Sequence, residues 1–158
     1  MSDVESNDTH PRRAALYTDG GARGNPGPAG IGVVLMDADG TVVGEIAQGI
    51  GYNTNNVAEY QAVIEGLKLA LEQGFVEVDV FVDSKLVVNQ LNGDWKIKHE
   101  RLRSLAVEAR RLLNRFADAT LQHVPREQNA EADRLANQGM DAAAVDEEAP
   151  PDQSTFFA

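Results

Sequence analysis

Cysteine is missing altogether from this 158-residue chain. No disulfide framework, thiolate metal site or cysteine nucleophile is therefore available, and the lack fits a reducing compartment, with the cytoplasm as the expected location. A single domain of this length buries roughly two-thirds of its unfolded surface, so it needs no covalent staple. Long apolar runs are missing too. Stretches such as Ile31 to Met36 and Val76 to Val82 fall far short of the roughly 20 residues that span a bilayer, and Met1 to Arg13 is polar and acidic rather than signal-like. Lysine is scarce, with Lys68, Lys85, Lys96 and Lys98 standing against ten arginines. No internal repeat is present.

An excess of positive charge is also absent. The formal net charge is -11, the reverse of the usual footprint of a polyanion binder. Asp141 to Ala158 carries five acids and no base, Met1 to Arg13 nets -1, and Ala14 to Met140 therefore carries -5. This acidic, lysine-poor bias looks like salt adaptation. In roughly 1 M salt the Debye length is about 3 Å, so long-range repulsion fades and binding rests on short contacts.

What is present is a set of four carboxylates, Asp19, Glu59, Asp83 and Asp133, each at a sheet edge or on an apolar helix face. Ala14 to Thr18 reads as a short buried strand ending at Asp19, followed by a hairpin of Ile31 to Met36 and Thr41 to Ile50. Asn55 is the expected N-cap of a helix reaching about Gln73, with Glu59 one turn before Val63 on its apolar face. A helix-start glutamate favoured by the dipole is the alternative reading there. Val76, Val78, Val80 and Val82 alternate in a fourth strand that ends at Asp83. Helices over Lys85 to Leu91 and His99 to Phe116, a strand over Thr120 to Val124, and a last helix over Glu127 to Gly139 follow. That last helix carries Asp133 beside Ala132, Leu135 and Ala136. The expected organisation is an N-terminal tail over 1–13, one domain over 14–140 and a disordered acidic tail over 141–158.

Burying unpaired carboxylates is costly, so several aimed at one place imply cations that offset their charge. Oxygen ligands without histidine or cysteine clusters suit Mg²⁺ or Mn²⁺ rather than zinc, and two ions fit four acids.

Four blocks carry a resemblance. They are Asp19-Gly20-Gly21 with Gly24-Asn25-Pro26-Gly27, Thr54-Asn55-Asn56-Val57-Ala58-Glu59, Val82-Asp83-Ser84, and Asn129-Ala130-Glu131-Ala132-Asp133-Arg134-Leu135-Ala136. From about Ala14 to Met140 the chain resembles type 1 ribonuclease H, in an archaeal-like form without a basic protrusion. The resemblance implies an α/β fold, ribonuclease H-like, in which a five-stranded mixed sheet has its first and fourth strands as neighbours and is flanked by helices. It implies hydrolysis of the RNA strand of RNA/DNA hybrids, with Asp19 touching both ions, Glu59 and Asp83 sharing the first and Asp133 holding the second. The products implied are a 5′-phosphate and a 3′-hydroxyl. The backbone at Gly20 and Ala22 and the side chains of Asn25, Asn55 and Asn56 would read the minor groove of the duplex.

The chain departs from that family pattern in two places. The loop Val124 to Asn129 lacks the histidine of many relatives; Arg126 is the candidate substitute, and His123 reads as a structural histidine on the strand. Gly93 to Lys98 holds two lysines in place of a basic handle, leaving Trp95 to lean on the DNA strand and loosening the expected discrimination against double-stranded RNA. Lys85 stands where relatives often carry a substrate-contacting glutamine, so that contact is not transferred. Gln153, Phe156 and Phe157 resemble a sliding-clamp docking peptide without its usual spacer. A monomer is expected. Two other classes stay open: a recombinase subunit of the same fold and a catalytically silent hybrid-binding module.

Overall fold

A computed structural model describes residues 12–148. The expected clamp-docking residues Gln153, Phe156 and Phe157 lie outside the described residues. In chain order the elements are β1 (Arg13–Ala22), β2 (Gly27–Met36), β3 (Val42–Asn53), α1 (Asn55–Glu72), β4 (Glu77–Val82), α2 (Lys85–Leu91), α3 (Glu100–Leu113), β5 (Asp118–His123), a 3-10 turn (Arg126–Gln128) and α4 (Ala130–Glu148). The strands form one sheet in the order β3-β2-β1-β4-β5. β1 runs antiparallel to β2 and parallel to β4, the mixed arrangement expected.

Alternation along β1 divides the molecule. Leu16 and Thr18 point with Val78, Val80 and Val82 into a core closed by α1 and α3, where Tyr60, Val63, Ile64 and Leu67 are fully buried. Tyr17 faces the other way, toward a smaller cluster of Val34, Ala132 and Leu135 beneath α4. Since successive strand residues face opposite sides, Asp19 belongs to the α4 side and Gly20 to the α1 side.

Several boundaries differ from the sequence expectation. β1 does not stop at Asp19: it continues to Ala22 against β2, while its pairing with β4 ends at Thr18 opposite Val82. Asp19 therefore sits where β1 loses one neighbour rather than where it ends. The cap of α1 is Thr54, whose hydroxyl accepts from the Val57 N–H at 3.2 Å, and Asn55 is already helical. The last helix begins at Ala130 and runs past Gly139 to Glu148, so the first part of the expected disordered tail is helical. Ala142, Ala143 and Ala144 are strong helix formers, and Ala143 is buried close to Gly49 of β3. Among the described residues no helix is long and apolar enough to cross a membrane.

Candidate active site

Strand register brings the first two carboxylates together. The parallel pairing ends at Thr18 and Val82, so the next positions along, Asp19 and Asp83, stand about one strand spacing apart, roughly 4.8 Å. Ser84 then caps α2 through its hydroxyl and turns the chain away.

Glu59 comes from the first turns of α1, and Gly20 lets it approach. A Cβ on Gly20 would lie 2.2 Å from the Ala58 carbonyl oxygen and 2.6 Å from the Glu59 nitrogen, so any side chain there would push the helix off the strand. One carboxylate oxygen from each of Asp19, Glu59 and Asp83 lies within 4.8 Å of the other two.

Asp133 arrives on α4 by a second backbone contact. The β2 residue opposite Asp19 is Gly32, and its missing Cβ would sit 2.0 Å from the Ala132 carbonyl oxygen. Asn129 pins the start of the helix: its buried Nδ2 donates to the Thr18 carbonyl at 2.9 Å, and its own carbonyl accepts from the Asp133 N–H at 3.0 Å. Arg126 then approaches Asp133, with Nη2 3.5 Å from Oδ1.

Like charges in a partly dry site suppress ionisation. Burial, followed by the charge of Asp83, pushes the Asp19 carboxyl up to about 8. Glu59 is held well above the usual carboxylate range by burial first and then by Asp19 and Asp83, with a Gly20 backbone hydrogen bond and Arg126 opposing. Its Oε1 is buried without a hydrogen-bond partner. An orphaned carboxylate oxygen among two further carboxylates, in a cluster that includes no histidine or cysteine among the described residues, fits a hard divalent cation.

All four carboxylates line one open cavity of about 490 Å³, together with Gly20, Ala22, Arg23, Asn55, Asn56 and Arg126. The asparagines differ from expectation in one respect. The Ala22 N–H donates to Asn55 Oδ1 at 2.7 Å, and the Asn55 N–H donates to Asn25 Oδ1 at 2.9 Å. Those bonds rigidify the glycine loop and occupy the Ala22 N–H, which is therefore not free to read a duplex. Among the described residues neither Asn25 Nδ2 nor Asn55 Nδ2 donates to a protein acceptor, and both remain available. Asn25 itself borders a neighbouring groove with Asn56, Tyr52 and His99 rather than the carboxylate cavity. Trp95 stands half-exposed on the loop between α2 and α3 and does not line the cavity. His123 lies on β5 as expected, at the strand's exposed end, and outside the cavity.

Three residues here had no assigned part in the sequence reading. Asn129 carried a legible signal, being an asparagine one position before a helix, but its bond to Thr18 joins residues 111 apart. Arg23 and Asn137 meet only because the β1–β2 hairpin folds back onto α4, and nothing local announces that.

A family model described as reverse transcriptase-like matches residues 17–139. The chain covers 99% of the solved N-terminal RNase H domain of a Mycobacterium tuberculosis protein at 50% identity, with a TM-score of 0.84 over 86% of this chain. The chain belongs to the ribonuclease HI family. Within that family it also resembles the solved RNase H1 of Halobacterium salinarum, at 46% identity and a TM-score of 0.80, covering 83% of this chain and 99% of that one. LC11-RNase H1, solved in complex with an RNA/DNA hybrid, is 43% identical with a TM-score of 0.78, again over 83% and 99% of the two chains. A curated M. tuberculosis bifunctional protein is 48% identical over 147 residues, or 92% of this chain. This chain spans 40% of that longer relative. The neighbours share the ribonuclease HI fold of five mixed strands flanked by helices, as the sequence led us to expect.

Proposed function

We propose that this chain is an endoribonuclease that hydrolyses the RNA strand of RNA/DNA hybrids with two divalent cations, Mg²⁺ or Mn²⁺, leaving 5′-phosphate and 3′-hydroxyl ends. The observation that carries this reading is the convergence of Asp19, Glu59 and Asp83 on one point, with a buried Glu59 oxygen lacking a partner. The hybrid bound by the related LC11-RNase H1 supports the substrate class. Asp19, Glu59 and Asp83 would hold one cation, and Asp19 with Asp133 the second. When bound, the cations supply Lewis-acid stabilisation of phosphate charge and lower the pKa of the attacking water.

The chain's own groups do the rest. Burial and the neighbouring carboxylates favour the protonated forms of Asp19 and Glu59, and a bound cation would favour their ionised forms. Arg126, beside Asp133, is placed to hold a phosphate after cleavage; as a permanent cation it binds but shuttles no proton. The backbone at Gly20 and the amide nitrogens of Asn25, Asn55 and Asn56 would contact 2′-hydroxyls and base edges of the minor groove. Trp95 would lean on the DNA strand from outside the cavity. With no basic handle between α2 and α3, selectivity against double-stranded RNA rests on this groove alone. The enzyme would act as a cytoplasmic monomer, removing RNA primers and R-loops.

Cleavage of a labelled hybrid beside matched double-stranded RNA and DNA, with each metal, tests the reading. Internal cuts in the hybrid's RNA strand that vanish on chelation and in Asp19→Asn would support it. Hybrid binding without any cleavage would leave a silent binding module instead.

A further inference from the structure

Two cations, Arg23 and Arg126, line the cavity that holds the four carboxylates. Arg126 has a place in the scheme above, whereas Arg23 has none. Its backbone is fixed at the hairpin that follows β1. The Arg23 N–H donates to the Pro28 carbonyl at 2.9 Å, and the Arg23 carbonyl lies where a side chain on Gly27 would have to go. The side chain reaches back to α4, where Nη1 pairs with Asp141 and Nη2 donates to Asn137 Oδ1 at 3.0 Å. Those bonds use two of the five guanidinium donors. The remaining three, on a side chain 44% exposed, are available at the cavity.

We propose that Arg23 binds a backbone phosphate of the nucleic-acid duplex through the guanidinium donors that Asn137 and Asp141 leave free. The inference rests on the hybrid reading above. The rival explanation is a latch that merely ties the hairpin to α4. An exposed ion pair contributes little stability, and a latch gives no reason for the cation to border a cavity of carboxylates. A planar, partly hydrated guanidinium with free donors beside a groove is suited to a phosphate. In a chain this acidic, each such contact carries a large share of the electrostatic attraction.

Salt separates the two explanations, because a lost phosphate contact removes one increment of counterion release, a slope of about 0.9 in log affinity against log salt. Hybrid binding would be followed by fluorescence anisotropy from 0.1 to 1 M KCl, in an Asp19→Asn background so that the probe stays intact. Arg23→Gln should bind about eightfold more weakly at 0.1 M, converge with its parent near 1 M, and lose about 0.9 from the slope. Arg23→Lys should keep the slope, because the charge remains. Asp141→Ala should keep the slope as well, since it removes the tether and leaves the cation. An unchanged slope in Arg23→Gln, or an Asp141→Ala defect equal to that of Arg23→Gln, would overturn the proposal and leave the latch. If the Asp19→Asn parent bound no hybrid at any salt, the hybrid reading itself would fall, and this inference with it.

Discussion

Placing a methyl group at Gly32 tests how the fourth carboxylate is positioned. The added Cβ would lie 2.0 Å from the Ala132 carbonyl oxygen, 2.5 Å from the Ala136 nitrogen and 3.0 Å from the Leu135 carbonyl carbon. All three are backbone atoms of α4, so no side chain can rotate out of the way. Restoring an ordinary contact of 3.4 Å would need α4 to retreat by about 1.4 Å, an overpacking strain of about 1–3 kcal/mol. Asp133 follows Ala132 and would move with it. A displacement near 1 Å costs about a hundredfold in rate when geometry sets the reaction. Gly32→Ala should therefore melt lower and show kcat/KM on the hybrid reduced about a hundredfold at saturating Mg²⁺. Gly44→Ala is the control, because its Cβ meets the flexible tip of Leu69 at 2.9 Å and should leave activity near the parent value. A folded Gly32→Ala protein with parental kcat/KM would refute the idea that backbone contact between β2 and α4 places Asp133.

Asp19→Asn should lower cleavage by at least about a thousandfold while hybrid binding persists, since it removes a group needed for charge stabilisation rather than for docking; its metal-free form should melt higher than the parent above about pH 8, where the parental Asp19 carboxyl ionises among its neighbours. The same clustering predicts a pH dependence. The Asp19 carboxyl is raised to about 8, so between its ordinary range and pH 8 the folded state holds more protons than the unfolded one, and metal-free stability should fall as pH rises. Mg²⁺ should restore that stability most at the alkaline end, where no proton competes; melting curves with and without metal from pH 5 to 9 check this, and a flat metal-free profile would count against the buried carboxyl cluster. Asn129→Ala should cost about 1–3 kcal/mol in denaturant unfolding by stranding the buried Thr18 carbonyl, and a neutral result would remove Asn129 from the positioning role given to it.

Much of the site was legible because strands carry information along their own length. Alternating valines located β4, and its end located Asp83. The glycine-rich turn and the four blocks located the rest. Legibility failed where a feature depends on two distant backbones. Nothing near Gly32 tells that α4 lies 100 residues further on and against it, and nothing near Ala22 tells that Asn55 will take its N–H. The end of α4 was missed for a related reason. Charge and the lack of periodicity suggested a solvated tail, but the alanines at 142–144 favour helix and Ala143 finds a seat beside Gly49 of β3. Asn55 was read as a cap because its residue type suits that role equally well, and Thr54 competes for it one position earlier.

The acidic surface sets a last constraint, on salt. On the outer face of β4 and β5, Glu77, Asp79 and Asp118 are gathered by Arg13, so that cluster is partly neutralised internally and offers no cation to a duplex. The carboxylate cavity offers Arg23 and Arg126. Two phosphate contacts imply a log–log salt slope no steeper than about -2, and the screening of repulsion from a chain of charge -11 works in the opposite direction. Hybrid binding should thus lose less than about a hundredfold between 0.1 and 1 M KCl, which is the behaviour an acidic, lysine-poor composition calls for. A measured slope steeper than about -4 would require cations beyond the cavity, such as Arg101 in the groove beside Asn25, to touch the duplex as well.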